Sequence, residues 1–585
     1  MEKFTGKVWV LDDDIDTDII IPTEYLALKT IDDMKQYGFS PLRPELAGQI
    51  QKGDIIVAGK NFGCGSSREQ APEIIKALGI QCVIAKSFAR IFFRNSINNG
   101  LLLIEQPDLH DDIKEGDEVT VVMNEHVDYN GKQYPIASLP ENLMSIIQAG
   151  GLVKAMRKLN GLDRFGKERK MGETVIEKII RNNVGKTVKP GDIVTVNVDR
   201  VMIHDIFIPF VAEKFEEMGF TKLWDPDKAV LIYDHLVPAS QLDDTRHFHA
   251  GDAFARKYGM KNVHRSDGIC HQLMTECGYA KPGNIVFGTD SHTTTYGCVG
   301  AFSSGIGYTE MASILGTGTM WIKVPETIKV VIEGELPENV MSKDIILRLI
   351  GDLGADGATY RALEFTGSTV KNMTVASRMT MANMAIEAGA KCALFTPDEK
   401  TAEYCDIELN EFQKSLTGDE DATYMKTITY RAEDFVPVMA CPSQVDKIKN
   451  VSELEGTEID QVFIGSCTNG RLEDLRAAAE VLKGKKVADY VKLIITPASR
   501  RIYRQAIAEG IMDTLAEAGA MITHPGCGLC CGRAGGILTD GERVVATNNR
   551  NFLGRMGTSK VEIYLASPKT AAACAVAGKI VNPEK

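Results

Sequence analysis

Four apolar, β-branched runs each end in polar, chemistry-bearing residues, and this pattern narrows the fold more than any other feature. They are VLIYDH (230–235), NIVFGTDSH (284–292), QVFIGSC (461–467) and KLIITPAS (492–499), with helical patterns between them. Near-continuous apolar strands separated by helices predict a parallel sheet covered on both faces. Such sheets bind ligands beyond the carboxyl ends of their strands, where these polar residues fall. Composition permits this: 44% hydrophobic and 25% charged residues suit packed cores, and the length suits about four domains. The net charge of −13 argues against a broad nucleic-acid or anionic-membrane surface. No apolar run reaches the ~18 residues of a membrane span. The start MEKFTGKVWV lacks a signal core and an Arg-rich transit pattern, so a cytoplasmic chain is expected.

Residues 1–156 read as an α/β unit of short strands, with VWVL (8–11), DIIVAG (54–59) and QCVIA (81–85) apolar and Ser87–Ile97 at helical spacing. Residues 154–170 carry seven Lys or Arg against two acids and read as a solvated linker, with nucleic-acid contact the minor alternative. Met171 then opens a fresh helical pattern, MGETVIEKII, like an old initiator. The chain therefore reads as two proteins fused head to tail. The expected domains are 1–156, a linker 157–170, and three α/β domains over 171–321, 322–439 and 440–585.

The 13 Cys are thinly spread over a large chain, which favours thiols or metal ligands over disulfides. Cys527-Gly-Leu-Cys530 lies in the Gly-rich HPGCGLCCGRAGG, and Cys467 ends an apolar strand. Three thiolates from two loops suit a [4Fe-4S] cluster with one iron open to substrate. A structural zinc with His524 as fourth ligand, a redox dithiol and inert thiols remain alternatives. Cys531, adjacent to Cys530, is left out, and the other nine Cys read as small buried hydrophobes.

Asp234-His235 and Asp290-Ser291-His292 end two strands, His271 lies in GICHQL, and His204-Asp205 follows VDRVMI. A carboxylate beside an imidazole fixes its tautomer and holds its proton for acid catalysis. The plainer reading of any one of them is a structural histidine. His110, His126, His247, His249 and His264 lack that context and read as surface or structural. In Gly63-Cys64-Gly65-Ser66-Ser67-Arg68-Glu69, Ser66-x-x-Glu69 has capping-box spacing. The same helix start, with Arg68, would hold an anion or favour a serine alkoxide. Arg550 and Arg555 in TNNRNFLGR suit a dicarboxylate, against a plainer reading as surface arginines.

Together these segments resemble the aconitase superfamily, and within it the isopropylmalate isomerase and homoaconitase branch. Residues 1–156 resemble its small subunit through DIDTDIIIP, GKNFGCGSSRE and AKSFARIFFRNSINNGL. Residues 171–585 resemble its large subunit through MGETVIEKI, YDHLVP, GTDSHTTTYG, GSCTNGRLEDL, PGCGLCCG and NRNFLGRMG. The resemblance implies an α/β fold with three α/β domains around an iron–sulfur cluster and an N-terminal swivelling β/β/α domain. It implies a hydro-lyase that isomerises a hydroxy acid, a place in leucine biosynthesis, and no need of a separate small subunit. A homo-oligomer is compatible with it. It makes Cys467, Cys527 and Cys530 the ligands of a [4Fe-4S] cluster with one open iron. Ser66 is then the base, supported by Arg68, and Asp234–His235 protonates the departing hydroxyl. His271, Asp290, His292 and Glu387 surround the iron-bound water. Ser67, Arg550 and Arg555 hold carboxylates, helped by Asn383 and Asn549, and His204 stands where isopropylmalate isomerases have a His. Three departures stand out: Leu529 and Cys531 replace the commoner residues, and the small part comes first. In the specificity loop Tyr25–Thr30, Ala27 and Leu28 favour an alkyl-substituted malate, while Lys29 keeps a tricarboxylate in play.

Overall fold

Alternation in KFTGKVWVL puts Phe4, Gly6, Val8 and Val10 on one face of a strand, and that strand organises the first of two compact units. The computed structural model describes residues 3–28, 30–66, 68–138, 143–144, 147, 172–533 and 535–583. The expected linker 157–170 and Met171 lie outside the described residues. The first unit comprises Met1–Phe165 with the short segments Glu213–Thr221 and Ile306–Ser313; the second takes the rest.

The first unit is built on β1 (Lys3–Leu11), β2 (Ile55–Ala58), β3 (Cys82–Ala85), β4 (Leu102–Glu105), β5 (Glu118–Val122), β6 (His126–Tyr129) and β7 (Lys132–Pro135). The sheet order is β4-β3-β2-β1-β5-β6-β7, parallel from β4 to β1 and antiparallel beyond. Val8 pairs with Ile55 and Lys3 with Val122, so the parallel half points its carboxyl ends one way. Those ends lead into the Asp12–Ile21 and Lys60–Arg68 turns. The IIVA and CVIA strands are buried on both faces, as their unbroken apolar sequence requires. The expected helix over 87–97 runs Arg90–Asn98.

The second unit begins its regular structure with a helix at Val175–Val184, where the Glu177 carboxylate takes both the N–H and the hydroxyl of Thr174. Its strands are β8 (Ile193–Asn197), β9 (Arg200–His204), β10 (Ala229–Ile232), β11 (Asn262–His264), β12 (Ile285–Gly288), β13 (Phe302–Gly305), β14 (Thr319–Lys323), β15 (Thr327–Glu333), β16 (Ala362–Thr366), β17 (Cys392–Phe395), β18 (Lys426–Arg431), β19 (Val438–Ala440), β20 (Ile448–Asn450), β21 (Gln461–Ile464), β22 (Lys492–Ile495), β23 (Met521–Ile522), β24 (Arg543–Ala546) and β25 (Glu562–Leu565). A parallel sheet of order β11-β10-β9-β12-β13 and a parallel sheet β17-β16-β15-β18 are joined by a third, β20-β19-β25-β24-β21-β22-β23. All three of these sheets reverse their winding, the second of them between β15 and β18. In the first, the order turns between β9 and β12; in the third, between β21 and β24. Diverging connections leave a crevice at such a point, outside the carboxyl ends.

Candidate active site

The β9/β12 crevice collects imidazoles and carboxylates. β9 ends in His204, β10 leads to Asp234 and His235, and β12 leads to Asp290 and His292. The His235 Nδ1 donates to Asp234 Oδ1 at 2.8 Å, and its Nε2 lies 3.7 Å from Asp290 Oδ2. Asp290 Oδ1 in turn accepts from His271 Nε2 at 2.9 Å and from the His292 N–H at 2.7 Å. His292 Nε2 donates to Glu387 Oε1 at 2.8 Å, and Glu387 pairs with Arg550 Nε at 2.9 Å. Arg550 also donates to Ser291 Oγ at 3.0 Å. One polar chain thus runs from Asp234 to Arg550, buried except at the partly exposed Asp290.

Charge follows from this chain. Burial works against the His235 cation, yet the Asp234 carboxylate and Asp205 outweigh it and hold its pKa well above the usual 6.5. Asp290 is held well below the carboxylate range despite burial, by hydrogen bonds from His271 and His292. Glu387 is lowered against burial by Arg550 and His292. His204 is the opposite case. It is buried, stacked on His235 with ring centroids 4.4 Å apart, and neither ring nitrogen has a hydrogen-bond partner. Burial and the neighbouring cation push it down to about 3, so it is a neutral imidazole.

Asp205 was named from sequence beside His204 but given no role in the site. Its carboxylate is fully buried and accepts the backbone N–H groups of Asp234 (3.1 Å), His235 (3.2 Å) and Leu236 (2.8 Å). It moulds the loop that carries the acid. Its place beside His204 at a strand end was the available signal.

The β21/β24 crevice collects sulfur. Cys467 follows β21 through a tight turn in which Ser466 takes φ +75°, a left-handed conformation that costs a non-glycine residue ~1 kcal/mol. Cys527 and Cys530 follow β23 in a short turn, and all three thiols are buried. Asn549, just beyond β24, lies between two of them: Nδ2 is 3.3 Å from Cys467 Sγ and Oδ1 is 3.4 Å from Cys530 Sγ. Asn549 Nδ2 also reaches Asn383 Oδ1 at 3.3 Å. The Cys527 thiol donates towards Cys530 and Cys531; this raises Cys527 well above the usual thiol range and lowers Cys530 and Cys531. Burial, then the charge of Cys530, pushes Cys467 up to about 12. Such thiols need a cation to stay ionised.

The donor set fits an iron–sulfur cluster better than a single ion. Four sulfurs at ~2.3 Å around one zinc would stand roughly 4 Å apart. Among the described residues, the groups of three candidate ligands within 4.8 Å are His204–His235–Asp290, His271–Asp290–His292 and Asp205–Asp234–His235, and none contains a cysteine. His524, the candidate fourth ligand of a zinc site, is exposed, whereas the three thiols are buried. Cys392 and Cys441 are also buried but fall outside both motifs, while Cys277 is exposed and Cys64 half-buried, correcting the expectation that all the remaining thiols are buried.

In the first unit the expected capping box does not form. The helix starts at Gln70 with Glu69 as its cap residue and no side-chain cap. The Glu69 carboxylate instead takes the Thr309 N–H at 2.8 Å and Asn99 Nδ2 at 3.2 Å, a long-range choice. Ser66 is held by Thr17, whose hydroxyl accepts the Ser66 N–H at 2.9 Å, while the Thr17 N–H donates to Cys64 O at 2.8 Å. Buried Arg68 pairs with Asp18 and donates to Ile21 O (2.8 Å) and Thr23 Oγ1 (2.6 Å). Thr17 and Asp18 sit in the quoted DIDTDIIIP segment but were not singled out. Ser67, Lys29 and the Ala27 side chain lie outside what is described. Arg555 is half-buried, and its charge lowers Cys530 and Cys531.

Comparison with known proteins places these features in a family. The sequence model for the aconitase family (aconitate hydratase) matches residues 177–454 and 444–578, and the aconitase C-terminal domain matches 27–109. The 3-isopropylmalate dehydratase large subunit 1 of Methanopyrus kandleri is 47% identical over 414 residues, covering 71% of this chain and 99% of that protein. The probable 3-isopropylmalate dehydratase large subunit of Methanothermobacter thermautotrophicus is 45% identical over 415 residues, covering 71% and 99%. A solved 3-isopropylmalate dehydratase structure from Methanocaldococcus jannaschii is 40% identical, covers 27% of this chain and 94% of its own, and has a TM-score of 0.26. Among the described residues, no helix is long and apolar enough to cross a membrane.

Proposed function

This chain belongs to the aconitase family, and we propose that it removes water from a hydroxy dicarboxylate and returns it at the neighbouring carbon, interconverting 3-isopropylmalate and 2-isopropylmalate or a close alkylmalate pair. The observation that carries this reading is the adjacency of Asn549 and Arg550. One touches Cys467 and Cys530; the next closes the Glu387–His292–Asp290 chain. Sulfur ligands and acid–base machinery are thus wired together by consecutive residues.

Cys467, Cys527 and Cys530 would hold the [4Fe-4S] cluster; when bound, it supplies Lewis acidity that makes hydroxide a better leaving group. The protein's own residues do the rest. His235, kept protonated by Asp234, gives its Nε2 proton to the departing hydroxyl and takes it back on rehydration. Neutral His204, with both ring nitrogens unengaged in hydrogen bonds, offers a donor and an acceptor to substrate. Arg550, aligned by Glu387 and Ser291, and Arg555 supply positive charge for a carboxylate. Ser66, in the GSSRE segment that resembles the family's, is the proposed base for the proton alpha to a carboxylate, with the Thr17 cradle fixing its backbone. The small-subunit-like part is supplied in the same chain, which fixes its stoichiometry and raises its effective concentration.

The test is a panel of alkylmalates and tricarboxylates on anaerobically reconstituted enzyme, read by the ultraviolet absorbance of the alkene. Turnover of alkylmalates over tricarboxylates is expected. Preference for homoaconitate or citrate overturns the substrate assignment, and a colourless protein that retains stoichiometric zinc overturns the cluster.

A further inference from the structure

Lys343 lies in the first turn of the helix Ser342–Leu353 and is 0% exposed. Its Nζ donates to two backbone carbonyls, Thr547 O at 2.8 Å and Asn548 O at 2.6 Å. Thr547 O also accepts the hydroxyl of Thr468, the neighbour of Cys467, at 2.6 Å. The next residue, Asn549, lies between Cys467 and Cys530. The ammonium is therefore bolted to the backbone that leads into Asn549, whose side chain meets both sulfurs. Nearby carboxylates are engaged elsewhere. Asp344 takes the N–H groups of Met341 and Val438, and Asp474 those of Arg471 and the Asn469 side chain. A buried cation is costly unless an anion offsets it. Burial pushes this ammonium down to about 7, and the charges that act most strongly to restore it are those of Cys467 and Cys530.

We propose that Lys343 is a positioning residue and the counter-charge of the sulfur ligand set: it offsets the negative charge of the thiolates and their cluster and fixes Asn549 against them. This rests on the cluster reading above. Reduction adds an electron to an already anionic group, so a nearby buried cation raises the reduction potential. Loss of the cation also loosens the ligand loop.

The test uses the full chain, anaerobically reconstituted, as wild type and as Lys343→Gln, Lys343→Met and Lys343→Arg. The readouts are the cluster's midpoint potential from an EPR-monitored redox titration and the rate of iron loss to a chelator. Lys343→Gln keeps a donor for the carbonyls without the charge, and its potential should fall below wild type. Lys343→Met should also lose iron about tenfold faster. Lys343→Arg should restore the potential. Wild-type potential and iron retention in both Gln and Met variants overturn the proposal; if the Met variant does not fold, the Gln variant alone decides. A wild-type chain that takes up no iron and sulfide overturns the cluster reading itself, which is a separate result.

Discussion

Two loops carry the proposed proton-moving side chains, and they are braced in opposite ways. The Asp234–Leu236 loop is gripped by a titratable carboxyl group: buried Asp205, pushed up to about 7 by burial and the charge of Asp234, accepts three consecutive N–H groups. The Cys64–Ser66 turn is gripped by a neutral hydroxyl, that of Thr17. Asp18 is paired with Arg68, and burial with the charge of Asp18 pushes Asp16 up to about 7. The difference follows from the chemistry. His235 must hold a proton and gains from negative charge. Ser66 must lose one, and an anion beside it would raise its pKa further.

The largest effect is expected from Asp234→Asn. It keeps the shape of the loop but removes the charge that holds the His235 proton. A fall in kcat of about 10³-fold is expected. The sign of the pH effect is fixed: His235 is raised above 6.5, so activity is retained at lower pH and lost as pH rises through the pair's value. Asp234→Asn should move that alkaline limb downward, and a pH–rate profile with an unmoved limb would take His235 out of the acid role. Asp205→Asn comes next. Three backbone hydrogen bonds weaken, and kcat should fall by about 10²-fold with a measurable drop in thermal midpoint. Thr17→Val should cost about tenfold in kcat and leave the alkaline limb in place, because a neutral brace carries no charge to lose. If steady-state kinetics show Thr17→Val moving the limb as Asp205→Asn does, the two braces are equivalent and the contrast fails. The smallest effect is Ser291→Ala, which removes one partner of Arg550 and should raise KM a few-fold with little change in kcat.

The strand-end chemistry was legible because an apolar run ending in Asp-His or Ser-Cys says both where the strand stops and what it presents. β12, β21 and β22 fall inside the runs named from sequence, and β10 begins one residue before its own. What was not legible depends on distant partners. Ser66-x-x-Glu69 has the spacing of a local cap, but Glu69 bonds to Thr309, 240 positions away. The bracing role of Asp205 exists only because β9 and β10 are neighbours, so that its carboxylate faces a loop about 30 residues on. Lys343 sits in an amphipathic helix where a lysine ordinarily faces water, and only packing against the Thr547–Asn548 backbone makes it buried.

The reversal of strand order between β21 and β24 has a consequence for biosynthesis. One wall of the sulfur crevice is laid down with Cys467; the other, Asn549 and Arg550, emerges only after a further 80 or so residues of translation. A nascent chain paused in between has cysteines but no completed cradle. If the proposed cysteines hold the cluster, its loading would have to wait until Asn549 and Arg550 have been made.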